Sequence, residues 1–420
     1  MAQKLFTRNF ILLILGQISS LFGNFILKLA LSMYVLEKTG SASVFAGILS
    51  VATLPSILLS PFGGVLADRA DKRKIMVSLD ALTGICVLSA ALFLSANHGL
   101  AIIGMLLIAL SVLGAFETPT VQACIPTMLS GDNITKGNAV VNQVASLSYL
   151  TAPMLGGILY TAFGLLPVMY ASILCFFLTA ALECFIVLPT GNQSTDHMPT
   201  GPLTTKQPIS AAIKQDFQDS IHYMVKEQPD IFKMLSLTAL SRFFVMGVTL
   251  VGLPFIIRTI LHLNARYYGA AESALAIATI CGSVLAALLS KKLKIHNLAL
   301  LLASLGIFIL PAGCVFLLPC SITVKYIVII FSFCGMQAAI SIFSIFAVSL
   351  IQQRTPNHFI GKIMAYTATI TLCAQPIGQL VYGFLFDRFR YAVHFVLLPS
   401  GIIICLIGLS ASKFFDAQEP

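Results

Sequence analysis

Tryptophan is absent from this chain, and charge is scarce: Asp, Glu, Lys and Arg together make up 10% of it. A soluble domain carries about 25% charged residues. A water-facing surface cannot be covered with so few, which excludes an ordinary soluble globular protein. There is no C-x-x-C pair. The ten cysteines are scattered singly, mostly inside apolar runs, and read as small buried hydrophobes rather than a disulfide framework or metal site. The seven histidines form no H-E-x-x-H, and G-x-x-x-x-G-K-[ST] is missing. An enzyme, a metal centre, a bound cofactor and a nucleotide-driven pump are therefore not expected. No soluble output domain is evident, which disfavours a signalling receptor. With tryptophan missing, interfacial anchoring falls to Tyr, Lys and Arg.

What is present is apolar sequence. Hydrophobic residues make up 58% of the 420, and mean hydropathy is +0.94. Apolar runs recur along the whole chain, each long enough to cross a hydrocarbon core of about 30 Å. Backbone in lipid must satisfy its own hydrogen bonds, so these runs are predicted to be helices. The short alternating segments of a β-barrel are not seen. Helices are expected near 10–36, 42–66, 75–96, 100–126, 138–163 and 166–188, then near 230–260, 267–290, 296–318, 323–351, 361–386 and 391–412. Lys4 and Arg8 precede a first run too long for a signal-peptide core, so that run is expected to remain as the first helix.

The expected fold class is thus an all-α membrane protein of about twelve transmembrane helices in two pseudo-symmetric six-helix bundles, 1–188 and 230–420. Between them, 189–229 has linker composition, with Pro189, Gly191, Pro199, Gly201, Pro202 and Pro208. Its second half spaces Ile209, Ile213, Phe217, Ile221 and Val225 as one helical face, either an amphipathic helix on the membrane surface or an ordinary loop helix. Two weak internal echoes accompany the division. Gln122-x-x-x-Pro126 parallels Gln352-x-x-x-Pro356, and Pro153, Gly156, Gly157 and Tyr160 parallel Pro376, Gly378 and Tyr382 one residue out of register.

The net charge of +9 does not point to nucleic acid, because the basic residues sit in short loops. With the N-terminus inside, Lys4, Arg8, Arg69, Lys72, Arg73, Lys74, Lys136 and the basic residues of later inner loops far outnumber the outer Lys38, Arg258, Arg266, Lys325, Arg388 and Arg390. Both termini are expected to be cytoplasmic.

The sharpest local signal is Gly64-Val-Leu-Ala-Asp68-Arg69-Ala-Asp71-Lys72-Arg73-Lys74 between the second and third helices. Gly64 permits close backbone approach, Asp68 can accept a charge-assisted hydrogen bond or cap a helix, and the basic run suits an anionic inner leaflet. This order resembles the signature loop of the major facilitator superfamily, G-x-x-x-D-R-x-G-R-K, at Gly64, Asp68, Arg69, Lys72 and Arg73, with Asp71 where the family usually has Gly. In that family the Asp helps to latch the cytoplasmic side closed.

The fifth helix is similar to the exporters' Gly-rich pattern, with Ala139, Ser148, Ala152, Pro153, Gly156 and Gly157 in its places. Three glycines are replaced by other small residues, so close helix packing survives. Gly16-Gln17, Ser20 to Gly23, Thr39 to Ala42, Leu54-Pro55 and the 353–361 stretch resemble the macrolide-efflux and enterobactin-exporter branch. One departure is the lack of Arg in 100–116, where many proton-coupled drug exporters have one.

Ionisable groups inside a bilayer cost about 2.5–3.5 kcal/mol on insertion scales and face a cavity or a partner. Lys28 continues a stripe of Gln17, Ser20 and Asn24 on helix 1. Glu117 lies in helix 4 beside Pro119, and Arg242 lies near mid-depth in helix 7. Depth places Lys28 toward the outer half and Glu117 toward the inner half, so no direct pair is expected. Further stripes are Asn138, Asn142, Ser146 and Tyr149 on helix 5, Gln337, Ser341 and Ser344 on helix 10, and Gln375, Gln379 and Tyr382 on helix 11.

Converging centrally, these residues would line an amphipathic solute site, with Phe22, Phe25, Phe116, Phe243 and Phe244 as apolar walls. Interhelical hydrogen bonding is the plainer alternative for the polar stripes. Glu183, Arg258 and Glu272 lie near helix ends, where reaching out to the interface is the simpler expectation.

The resemblance implies a secondary transporter in a bacterial cell membrane, exporting amphipathic small molecules by alternating access with protons entering. Drugs, macrolide-like compounds or siderophores are the implied substrates. Lipid translocation and solute uptake remain open alternatives. Expected partners are the substrate, protons or another ion, and membrane lipids, with the chain a monomer. Glu117 is the expected proton carrier; Lys28 and Arg242 are expected to attract anionic or carbonyl-bearing substrates.

Overall fold

The computed structural model describes residues 5–94, 98–187, 229–289, 297–355 and 357–416. The described residues are helical almost throughout. We number the helices α1 (Arg8–Thr39), α2 (Ala42–Arg69), α3 (Lys72–Phe93), α4 (Gly99–Met128), α5 (Asp132–Phe163) and α6 (Leu165–Cys184). Beyond residue 228 come α7 (Pro229–Gly247, continuing to Ile260), α8 (Ala265–Leu289), α9 (Asn297–Cys314), α10 (Ile322–Arg354), α11 (Asn357–Arg388) and α12 (His394–Asp416). The amphipathic stretch expected at 209–225 lies outside the described residues.

Local chemistry explains the breaks. Thr7 caps α1 by accepting from Phe10 N at 3.3 Å. The same helix ends on Gly40, whose φ of 56° is the left-handed stop that glycine adopts without cost. Ser41 then caps α2 and Ser321 caps α10. Asp71, the departure from the family's Gly, caps α3 by accepting from Arg73 N at 3.1 Å and Lys74 N at 3.3 Å. In α7 the ladder widens at Val248–Gly252 and again at Ile256–Ile260, on either side of Pro254. Proline brings no N–H, and wide turns of this kind re-pair the freed carbonyls.

Eleven of these helices are long and apolar enough to cross a membrane. The twelfth, α5, is equally long at 32 residues but is made less apolar by Asn138, Asn142, Gln143, Ser146 and Tyr149, and about twelve helices are present as expected. It packs between α1 and α8, and Asn138 and Asn142 of its polar face line the space between the two sets of helices. Outward faces are apolar instead: Leu174, Leu288 and Phe331 are 70%, 72% and 70% exposed. The chain is a multi-pass membrane protein.

Packing repeats along the chain. Among the first six helices, α1 lies on α5 and α6, α2 on α4, and α3 on α4 and α6. Among the last six, α7 lies on α11, α8 on α10, and α9 on α10 and α12. Two broad seams, α5–α8 and α2–α11, join the two sets. Lipid tails are as apolar as leucine, so small residues that let backbones touch must supply the close packing.

Gly157 meets Ala265 O, Gly269 meets Pro153 O, and Gly156 meets Ile26 across the α1–α5 contact. Ala152 is fully buried on the same helix. A Cβ on Gly157 would lie 2.5 Å from Ala265 O. Gly157→Val is therefore expected to cost about 1–3 kcal/mol by overpacking. The check is a lower midpoint in a thermal unfolding scan of the detergent-solubilised protein, with Ala152→Gly as a milder reference.

Candidate functional site

A cavity of about 560 Å³ lies between the two sets of helices. Its polar lining comes from α1 (Gln17, Asn24 and Lys28), α4 (Glu117), α5 (Asn138 and Asn142) and α11 (Gln375 and Gln379). Tyr268 of α8 closes one side and donates its hydroxyl to Glu272 Oε1 at 2.8 Å. Apolar walls come from Leu21, Phe45, Leu49, Leu107, Leu110 and Leu250. A few polar groups set in an apolar wall is the usual make-up of a small-molecule pocket. Lys28 and Glu117 form no ion pair, but Lys28 is near enough to act on Glu117 electrostatically.

Four residues expected here lie elsewhere. Ser146 is exposed and donates back to Asn142 O at 2.9 Å. Ser341 is held in the α8–α10 seam by Ser283 Oγ at 3.0 Å and Thr279 O at 3.2 Å. Arg242 runs along α7 toward Met246 Sδ at 4.0 Å, and Gln337 keeps a buried, unpartnered Oε1 on α10. Helical spacing alone does not decide which neighbour a stripe meets, and here α8 and α11 take up the relevant faces. None of the five phenylalanines expected as walls lines the cavity. Phe25 packs edge-on against Tyr149, and Phe243 packs against Phe244 and Tyr382.

The three ionisable groups near helix ends also differ from expectation. Arg258 does not reach out to an interface but pairs with Glu37, whose other oxygen accepts from Tyr160 at 2.8 Å. Glu272 is held by Tyr268. Glu183 is 1% exposed, with neither oxygen hydrogen-bonded. It faces Asp80 of α3, a buried acid not singled out from the sequence. Asp80 lies eight residues into an apolar helix, and that placement was the available signal.

Of the signature loop, Gly64, Asp68 and Arg69 fall on the last turns of α2, where their side chains lie outside the described residues. Lys72 and Arg73 start α3, and the Arg73 guanidinium donates to Cys184 O at the end of α6.

The face of the bundle opposite the N-terminus is sealed by polar contacts between the two sets of helices. Asp387 on α11 accepts from Ser41 Oγ at 2.5 Å, Ala42 N at 2.7 Å and Ser43 N at 2.9 Å, and from Ser43 Oγ. A carboxylate there meets the free N–H groups and positive end of α2. The Glu37–Arg258 pair spans α1 and α7. Deeper, Ser50 Oγ on α2 lies 3.1 Å from Pro376 O and 3.2 Å from Gln379 Oε1. The cavity lining extends the other way, to Gln122 and Ile125 near the end of α4.

Residues 13–379 match the family profile described as Major Facilitator Superfamily. Macrolide efflux protein A of Streptococcus pyogenes is 24% identical over 401 residues, 93% of this chain and 92% of that one. Multidrug efflux pump Tap of Mycolicibacterium fortuitum is 22% identical over 398 residues, covering 93% and 91%. Among solved structures, a bacterial homologue of the iron transporter ferroportin superposes with a TM-score of 0.71 at 18% identity, covering 96% and 98%. The nucleoside transporter NupG superposes with a TM-score of 0.72 at 11% identity, covering 96% and 99%.

The sealed face yields a test. Asp387→Ala removes the carboxylate that accepts from Ser41, Ala42 and Ser43 at the start of α2 and leaves the Ser41 cap on Val44 N. Spin labels at Leu166 and Tyr391, both exposed on that face, are expected to report longer and broader separations in the variant by double electron–electron resonance. An unchanged distance distribution would show that the carboxylate does not hold the face shut.

Proposed function

The chain belongs to the major facilitator superfamily, and from that premise we propose that it exports amphipathic, macrolide-like small molecules across a bacterial cell membrane by proton-coupled alternating access. One observation carries the reading. Lys28 and Glu117 from the first set of helices and Gln375 and Gln379 from the last face one cavity, closed at the end where Asp387 and Arg258 sit. In hydrocarbon such groups are retained where they meet a solute or a proton. The named relatives, an efflux protein and an efflux pump, favour export over uptake.

In this reading the segments 1–188 and 230–420 act as two units that rock about the α5–α8 and α2–α11 seams, with 189–229 joining them. Both termini lie in the cytoplasm, so the cavity of this conformation serves the cytoplasmic side. An amphipathic solute enters there, lays its apolar body on Leu107, Leu110 and Phe45, and offers carbonyls to Lys28, Gln375 and Gln379. Breaking the Asp387 and Glu37–Arg258 contacts opens the outer face, and the signature loop closes the inner one. Glu117 exchanges a proton for the solute. Arg242, held along α7 away from the cavity, has no part in this conformation.

Inverted membrane vesicles carrying labelled erythromycin, with a pH gradient imposed in either direction, test the proposal. Accumulation is expected only when the lumen is acidic, and Glu117→Gln is expected to abolish it while leaving downhill exchange. Lys28→Gln is expected to raise the half-saturating concentration roughly tenfold, the cost of about 1.4 kcal/mol of a charge-assisted hydrogen bond. Accumulation by Glu117→Gln at the wild-type rate would remove that residue from coupling. Accumulation with the opposite gradient would make the chain an importer.

A further inference from the structure

Beyond the cavity, α1, α3, α4 and α6 enclose a second group of acids. Ser20 of α1 is 1% exposed, and its Oγ lies 2.9 Å from Asp80 Oδ1 and 3.2 Å from Glu117 Oε1. Asp80 is 2% exposed and is not part of the cavity wall, whereas Glu117 is. Beyond Asp80 stands Glu183 of α6, 1% exposed with both oxygens unpartnered. One turn before Ser20, Gln17 keeps a buried Nε2 unpartnered beside the same cavity.

A serine hydroxyl has one proton to donate. It can satisfy one of the two carboxyl oxygens that it touches, and the other contact is a hydrogen bond only if that carboxyl is itself the donor. The geometry therefore holds at least one dissociable proton on the Asp80–Glu117 pair. Glu183 carries the same requirement further, because an ionised carboxylate buried without any donor is among the costliest groups a protein interior can hold. Among the described residues no three His, Cys, Asp or Glu side chains are placed to hold a metal ion. The species that fits is the proton.

We propose that Ser20, Asp80 and Glu183 form a proton relay that leads from the cavity carboxyl Glu117 to the α3–α6 seam near the cytoplasmic end of α6. This rests on Glu117 as the proton carrier proposed above. In the transfer step, the Glu117 Oε1–H bond breaks as that proton joins Ser20 Oγ, and Ser20 passes its own proton to Asp80 Oδ1. One O–H bond breaks and one forms at Ser20, which ends neutral, while the negative charge moves from Asp80 to Glu117. Asp80 then exchanges with Glu183, one residue from Cys184, whose carbonyl is held by Arg73. Lys28 faces Glu117 from the cavity side, Cys124 and Cys184 face the seam, and Asp71, Lys72 and Arg73 stand at the start of α3. The route lets Glu117 release its proton toward the cytoplasm without crossing the space that the solute fills.

Infrared difference spectra of the purified protein in nanodiscs, taken between acid and alkaline buffer, read carboxylic-acid C=O bands without any substrate. Asp80→Asn and Glu183→Gln are each expected to remove a band that the wild type shows. Ser20→Ala is expected to keep both bands but to slow deuterium exchange at Asp80 by roughly a hundredfold, the smaller end of what a positioned proton donor contributes. Ser20→Thr, which restores the hydroxyl, is expected to recover the rate.

Bands indifferent to both acid substitutions would overturn the proposal, as would wild-type exchange in Ser20→Ala. So would bands that respond to sodium in place of potassium at fixed pH, which would mark a cation site. Loss of the Glu117 reading shows separately, as erythromycin accumulation surviving Glu117→Gln with the Asp80 and Glu183 bands unaltered.

Discussion

Hydrocarbon does not solvate charge, and the arrangement of this bundle follows from where its few ionisable side chains escape that penalty. An unpaired charge in lipid costs several kcal/mol, more than any single packing contact returns. Most of the ionisable groups deep in the described helices face the cavity or a polar partner, Arg242 with only Met246 Sδ being an exception. Lys28 and Glu117 take the cavity, Arg258 takes Glu37, Glu272 takes Tyr268, and Asp387 takes the start of α2. Asp80 has Ser20, and Glu183, close to Asp80, has no donor on either oxygen, which is why a bound proton is the physical answer there.

The same economy suits the rocking motion proposed above, in which the two sets of helices would separate without unfolding. The seams α5–α8 and α2–α11 rest on glycines against carbonyl oxygens, contacts with little side-chain interlock. Small-residue seams hold through close approach alone, so they can slide or rock at modest cost. The polar contacts at Asp387 and Arg258 add directional holds at one end. A hold made of hydrogen bonds to a helix terminus exchanges readily with water when the face opens, unlike a buried apolar lock.

Much of the architecture was legible in advance. Helix positions and the polar nature of α5 follow from hydropathy and spacing, because a bilayer imposes nearly the same demand on every span. Gln17, Asn24, Lys28, Glu117, Asn142, Gln375 and Gln379 were named from their stripes and meet at one cavity. Ser146, Arg242, Gln337 and Ser341 followed the same spacing rule and do not. A period of 3.6 residues tells which side chains share a face, but not what that face touches.

Asp80 and Glu183 mark the boundary most clearly. Each is a single acid on its own helix, and although depth in an apolar run could have marked Asp80 as buried, nothing local shows what either acid meets. Their meeting depends on α3 packing against α6, with Ser20 supplied by α1, three segments far apart in the chain. The amino-acid order by itself determined that this chain must live in a membrane and span it repeatedly, since those properties depend on how much apolar length each segment carries. Only the folded arrangement decided which polar groups meet across helices, because contact between distant segments is set by packing geometry that no local run of residues encodes.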